Sequence, residues 1–197
     1  MRIHPVIALL LSLSCGTAKT TSTLPDPCDA TQARISAEAD ARASPLGIDA
    51  HLAVSFPGGK VAWLMKAKDH QSYVVDKQAR HFGRCNADGC FVFAGPAQTL
   101  EAAVATSMND GKHDAALLAK ALGLPTDRME GPLRLLTLEL GHDVCARLPV
   151  DGDPGAWPCK SDGDTDCFRF GGFTTGGVPE LLLVNAPVAR AHVVEIP

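Results

Sequence analysis

Aromatic residues are scarce in this 197-residue chain: Phe, Trp and Tyr together make up 5% of it, and there is a single tyrosine. Leu, Val and Ala must therefore fill the core. The apolar run at residues 6–13 is far shorter than the ~20 residues that a spanning helix needs. With 18 Lys and Arg against 22 Asp and Glu, the formal charge is −4 and no basic tract occurs. That argues against charge-driven binding of nucleic acid. No acidic block suggests a solvated tail either. Also missing are Cys-x-x-Cys-His, Gly-x-Ser-x-Gly, His-Glu-x-x-His, the P-loop and Gly-x-Gly-x-x-Gly, which removes the most readily named haem, hydrolase, zinc-protease and nucleotide-binding classes. The histidines are scattered without the i, i+4 spacing of a zinc site.

What the chain does have is a globular balance, 46% hydrophobic and 20% charged. Its N-terminus has the parts of an export signal, with Arg2 as a short positive region followed by the apolar run. Ser12-Leu13-Ser14-Cys15-Gly16 closes that run. This segment resembles the lipobox of bacterial lipoproteins, although Ser12 stands where that family most often has leucine. The resemblance implies a signal peptide over residues 1–14 and a lipidated Cys15. It also implies a cell-envelope location in which acyl chains, not a spanning helix, hold the protein to the membrane. Gly16 is compatible with an outer-membrane or surface destination. Residues 15–27, rich in Thr, Ser and Pro, read as anchor and tether. Residues 28–197 form a single domain.

The cysteine count supports export. Seven cysteines are present, and setting Cys15 aside for lipid leaves Cys28, Cys85, Cys90, Cys145, Cys159 and Cys167, an even set that suits three disulfides. Fifteen connectivities are possible. Cys85 with Cys90 would close a hairpin, Cys159 with Cys167 a second small loop, and Cys28 with Cys145 would tie the N-terminal segment to the C-terminal half.

Element order predicts an α+β domain with a mostly antiparallel sheet, a helical hairpin and disulfide staples. A helix is expected over residues 29–43. Residues 51–56 and 61–66 around Pro57-Gly-Gly-Lys60 suggest a β-hairpin, and residues 72–76 and 90–94 two further strands. Leu100, Ala103, Val104 and Met108 form a helical stripe. The second helix, residues 114–122, should end at Gly123 with Pro125 beyond. Strands are expected again over residues 133–140, 144–148, 167–170, 181–185 and 191–196.

Two groups of residues suggest chemistry. Asp162, Asp164 and Asp166 alternate through a Gly- and Asp-rich loop, where carboxylates at such spacing could gather on Ca²⁺ with help from Asp151 and Asp153; the alternative is a solvated acidic turn with Asx hydrogen bonds. Glu180 follows Gly176-Gly-Val-Pro179 and opens the apolar run Leu181-Leu-Leu-Val184. A carboxylate there would be partly desolvated and raised in pKa, as general bases are. Leu122-Gly-Leu-Pro125, Gly131-Pro-Leu-Arg134, Arg147-Leu-Pro149 and residues 171–180 together resemble C-terminal toxin domains of bacterial polymorphic secretion systems. Some of those are ADP-ribosyltransferase-like. The resemblance implies NAD as cofactor, Glu180 as the acid, and Arg84 or His81 as the early cation. A non-enzymatic envelope module that binds a protein or polymer partner is the competing expectation. Convergence of Glu180, Arg84 and His81 on one cleft would favour the enzyme, and their dispersal the binder.

Overall fold

The computed structural model describes residues 28–42, 46–156, 172–174 and 176–197. The protein is an α+β domain. Helix α1 (Ala30–Arg42) and helix α2 (Ile48–Ser55) lead into strand β1 (Lys60–Lys66), a short helix α3 (Ala67–His70), and strands β2 (Arg84–Asn86) and β3 (Gly89–Pro96). Helix α4 (Ala97–Ser107), the two-residue strands β4 (Met108–Asn109) and β5 (Lys112–His113), and helices α5 (Ala115–Leu122) and α6 (Thr126–Met129) follow. Strands β6 (Leu133–Glu139), β7 (Cys145–Arg147), β8 (Leu181–Val184) and β9 (His192–Ile196) complete the fold. The main sheet runs β7-β8-β3-β1-β6-β9, with β2 also paired to β3. Each of its pairings is antiparallel.

The expected helical hairpin is α4 and α5, joined by β4–β5 around Asp110 and Gly111. Both turn residues have positive φ, 48° and 78°, the backbone that a tight two-residue hairpin demands. Asp114 caps α5 by accepting from the backbone N–H groups of Ala116 and Leu117 at 2.9 and 3.0 Å. Gly123 ends the helix in the left-handed conformation at φ 63°.

Two expected strands are helical instead. Residues 51–56 belong to α2 and the turn after it, because the buried positions recur at helical spacing: Ile48, Leu52 and Phe56 all pack on one core. The apparent alternation of Leu52, Val54 and Phe56 misleads, since Val54 is 70% exposed. An aspartate from the preceding helix starts α2, with the Ile48 N–H donating to Asp40 Oδ1 at 2.8 Å. The expected hairpin about Pro57–Gly59 is therefore a helix-to-strand corner. Residues 71–75 continue α3 as a π-helical turn. Its wide bonds run from Asp76 N–H to the Gln71 carbonyl and from Ala79 N–H to the Val74 carbonyl, both 2.9 Å. Only Val74 of this turn is buried; Tyr73 and Val75 face solvent.

The sheet separates two apolar layers. On one face Val61, Trp63, Leu136, Leu138, Leu181 and Leu183 pack with Phe56, Val74 and Phe82. On the other, Ala62, Leu133 and Leu135 meet Leu100, Val104, Leu118 and Leu122 of the helices, while Phe91, Leu182, Val184 and Cys145 form a smaller cluster near α1. All four residues of β8 are buried, as an unbroken apolar run covered on both faces should be. Two expected disulfides are formed, Cys28–Cys145 and Cys85–Cys90. Cys15, Cys159, Cys167, Asp162, Asp164, Asp166 and the strand expected over 167–170 lie outside the described residues.

Candidate functional site

Glu180 stands at the entrance to β8, and its position is set by a set of close backbone contacts. Gly123 and Gly176 touch so closely that a Cβ on Gly123 would lie 2.1 Å from the Gly176 nitrogen. Thr174 Oγ1 donates to the Leu122 carbonyl at 2.8 Å, fixing the segment to the end of α5. The Thr174 N–H donates to the Val178 carbonyl at 2.8 Å and the Glu180 N–H to the Gly172 carbonyl at 2.7 Å. These two bonds pair residues 172–174 with residues 178–180. Glycine is required at this contact because no side chain fits between the two backbones.

The Glu180 residue is half-buried. Burial pushes its carboxyl up to about 7, because desolvation disfavours the charged form.

His51, which the sequence did not single out, lies beneath Glu180. It is fully buried, and its Nε2–H donates to the Glu180 carbonyl at 3.2 Å. Phe56 and Phe173 enclose the ring edge-on, with centroids 5.4 and 5.0 Å away. With Nε2 protonated, Nδ1 is an acceptor, and it has no hydrogen-bond partner among the described residues. Burial lowers the pKa of this histidine, opposed by the carbonyls of Glu180 and Gly172, so the ring is neutral. No motif marks His51 in the sequence, where it sits in an apolar stretch that reads as a strand.

The other proposed participants are elsewhere. Arg84 pairs with Phe91, and Phe91 with Val184, so Arg84 is displaced from Glu180 by four residues of β8, ~13 Å along the strand. Its aliphatic stem and Phe93 both border Gly155. His81 bridges Pro187, past the Val184 end of β8 and past Asn185, whose φ of 55° ends the extended run, at the opposite end of the strand from Glu180. Both Arg84 and His81 are exposed. Glu180, Arg84 and His81 do not form a cluster. An open cleft of about 430 Å³ between the end of α2 and the start of α4, lined by Ser55, Lys60, Gln98 and Thr99 among others, includes none of the three.

A second buried polar centre was also not apparent from sequence. Arg147 of β7 is fully buried. It makes a two-pronged ion pair with Asp153, Nη1 donating to Oδ2 at 2.9 Å and Nη2 to Oδ1. Its Nε donates to Gln32 Oε1 at 3.0 Å, and Nη1 also reaches the Leu148 carbonyl at 3.0 Å. The Val150 N–H donates to Asp153 Oδ2 at 2.6 Å. Asp153 is thus committed to the interior and is unsuited to supplying oxygen to a calcium site; Asp151 is exposed. Among the described residues no group of three His, Cys, Asp or Glu side chains could hold a metal ion. Nor is any described helix long and apolar enough to cross a membrane.

No protein-family model, curated protein or solved structure matches this chain.

Proposed function

We propose that this chain is an exported bacterial envelope protein, lipid-anchored at Cys15, whose domain acts as a binding module and not as an ADP-ribosyltransferase. One observation carries the reading: of the two candidates for the early cation, Arg84 is registered four residues of β8 from Glu180, ~13 Å in strand length, and His81 lies past the far end of that strand, so among the described residues neither joins the acid. Two disulfides, one tying the N-terminal segment into the sheet, agree with an oxidising compartment. The segment between β1 and β2 offers a contact surface. Tyr73 and Val75 are 57% and 48% exposed, the Lys77 ammonium lies 4.9 Å from the Tyr73 ring centroid, and Arg80 and His81 are also exposed. An exposed aromatic ring with an ammonium over its face suits a protein or polymer partner.

The test has two arms. The oxidised mature protein should leave NAD intact, and turnover that Glu180→Gln lowers by ~10²-fold or more would overturn the binding reading. In cells, Cys15→Ala should move the protein from the membrane to the soluble fraction. Unchanged membrane retention would remove the lipid anchor.

A further inference from the structure

We propose that Cys85–Cys90 is a thiol-exchange site, opened and reclosed by small thiols while the domain stays folded. The two half-cystines are directly opposite in the β2–β3 register, and only residues 86–89 separate them. Cys85 is exposed and Cys90 half-exposed, so a thiolate can approach the bond from solvent.

The hairpin does not depend on that bond. Asn86 Oδ1 accepts from the Asp88 N–H at 2.8 Å within the turn. Asn185 holds Cys90 twice, its Oδ1 accepting from the Cys90 N–H at 2.9 Å and its own N–H donating to the Cys90 carbonyl at 2.8 Å. The ladder pairs Arg84 with Phe91 and Asn86 with Gly89 on either side of the disulfide. An opened pair therefore remains side by side, ready to reclose. Cys28–Cys145 lacks these properties. Cys28 is half-buried, but Cys145 is 6% exposed, packed with Phe91, Leu182 and Val184, and the bridge spans a separation of 117 residues, so its ends are not held together by a turn. Exposure and access govern how readily a disulfide exchanges.

The chemistry balances with a monothiol such as glutathione. Its thiolate attacks the exposed Cys85 sulfur, the Cys85–Cys90 bond breaks, and Cys90 leaves as a thiolate that takes a proton from water. A second glutathione thiolate then attacks the glutathione sulfur of the mixed disulfide and releases Cys85. The protein gains two electrons and two protons, and two glutathiones become one glutathione disulfide.

The experiment equilibrates the full mature protein in graded mixtures of reduced and oxidised glutathione, labels free thiols by alkylation, identifies the labelled peptides by mass and records near-UV circular dichroism on the same samples. Cys85 and Cys90 should be labelled at a reduced-to-oxidised ratio at least ~10-fold lower than Cys28 and Cys145. The aromatic bands of the dichroism should not change, and a sample returned to oxidising buffer before alkylation should take no label at these two cysteines. Labelling of all four together, labelling accompanied by loss of the dichroism, or failure to reclose would overturn the proposal. A variant gives an independent check: Cys90→Ser should accumulate a glutathione adduct on Cys85, and a Cys85 that stays unmodified under oxidised glutathione would also overturn it.

Discussion

At the Val184 end of β8 two disulfides flank the strand, Cys28–Cys145 through β7 and Cys85–Cys90 through β3. At the Glu180 end the described contacts are noncovalent: a buried imidazole on a carbonyl, two aromatic edges, and a meeting of two glycines. Cross-links chiefly restrict the unfolded chain, so the first end draws stability from outside the native packing. The second depends on each side chain remaining in its present protonation state and volume. One strand thus joins a cross-linked region to one that contains two groups with shifted pKa values.

The largest effect expected from breaking this contrast is at the covalent end. Replacing Cys28 and Cys145 together with Ser should cost about 5 kcal/mol in the chain-entropy account for a loop of this length, read as a fall in urea midpoint with a steeper slope, because the released unfolded chain exposes more surface. A loss below ~1 kcal/mol would mean that the loop is already restricted in the unfolded chain.

His51→Ala should cost about 3 kcal/mol at neutral pH, from the void between Phe56 and Phe173 and the unpaired Glu180 carbonyl. Wild-type His51 also sets an acid limb. Its pKa is lowered in the fold, so its contribution is complete above the ordinary value of 6.5 and is lost as pH falls below it. The alanine variant should lose that limb, as denaturation across pH 5–8 would reveal.

The smallest of the three effects has the opposite sign. The Glu180 carboxyl is raised from 4.5 to about 7, so its contribution is present below 4.5 and lost as pH rises through about 7. Glu180→Gln imitates the protonated form and should stabilise the protein at pH 8 by on the order of 1–3 kcal/mol, with no gain at pH 4. Equal gains at both pH values would show that the charge is already well solvated. In the same variant the His51 acid limb should steepen, because the two groups oppose each other between 4.5 and 6.5 in the wild type.

Much of the framework was legible in the residues because it rests on local rules. Asp114 and Gly123 bound α5 through cap geometry that neighbouring residues specify. Cys85 and Cys90 bracket a turn short enough to pair them, and the run Leu181–Val184 is too apolar to be anything but interior. The misread elements lie where periods compete. In residues 48–56 an alternating pattern and a helical one share the same apolar letters, and packing of Ile48, Leu52 and Phe56 against one core selects the helix. Residues 71–75 contain two adjacent valines that suggest a strand, but one is buried and one exposed on a π-turn.

The chain by itself determined the α+β class, the helical hairpin and the Cys85–Cys90 disulfide, since each follows from element order or from spacing within a few residues; the Cys28–Cys145 bridge, 117 residues apart, was one of fifteen open connectivities that tertiary structure selected. Only tertiary structure decided that Arg84 and His81 stand apart from Glu180, because strand register is a long-range property that no local pattern encodes. It alone put His51 129 residues from its acceptor on Glu180 and Arg147 115 residues from Gln32. Burial, which sets the charge of Glu180 and His51, depends on what the rest of the chain packs around a side chain, and no window of sequence contains that information.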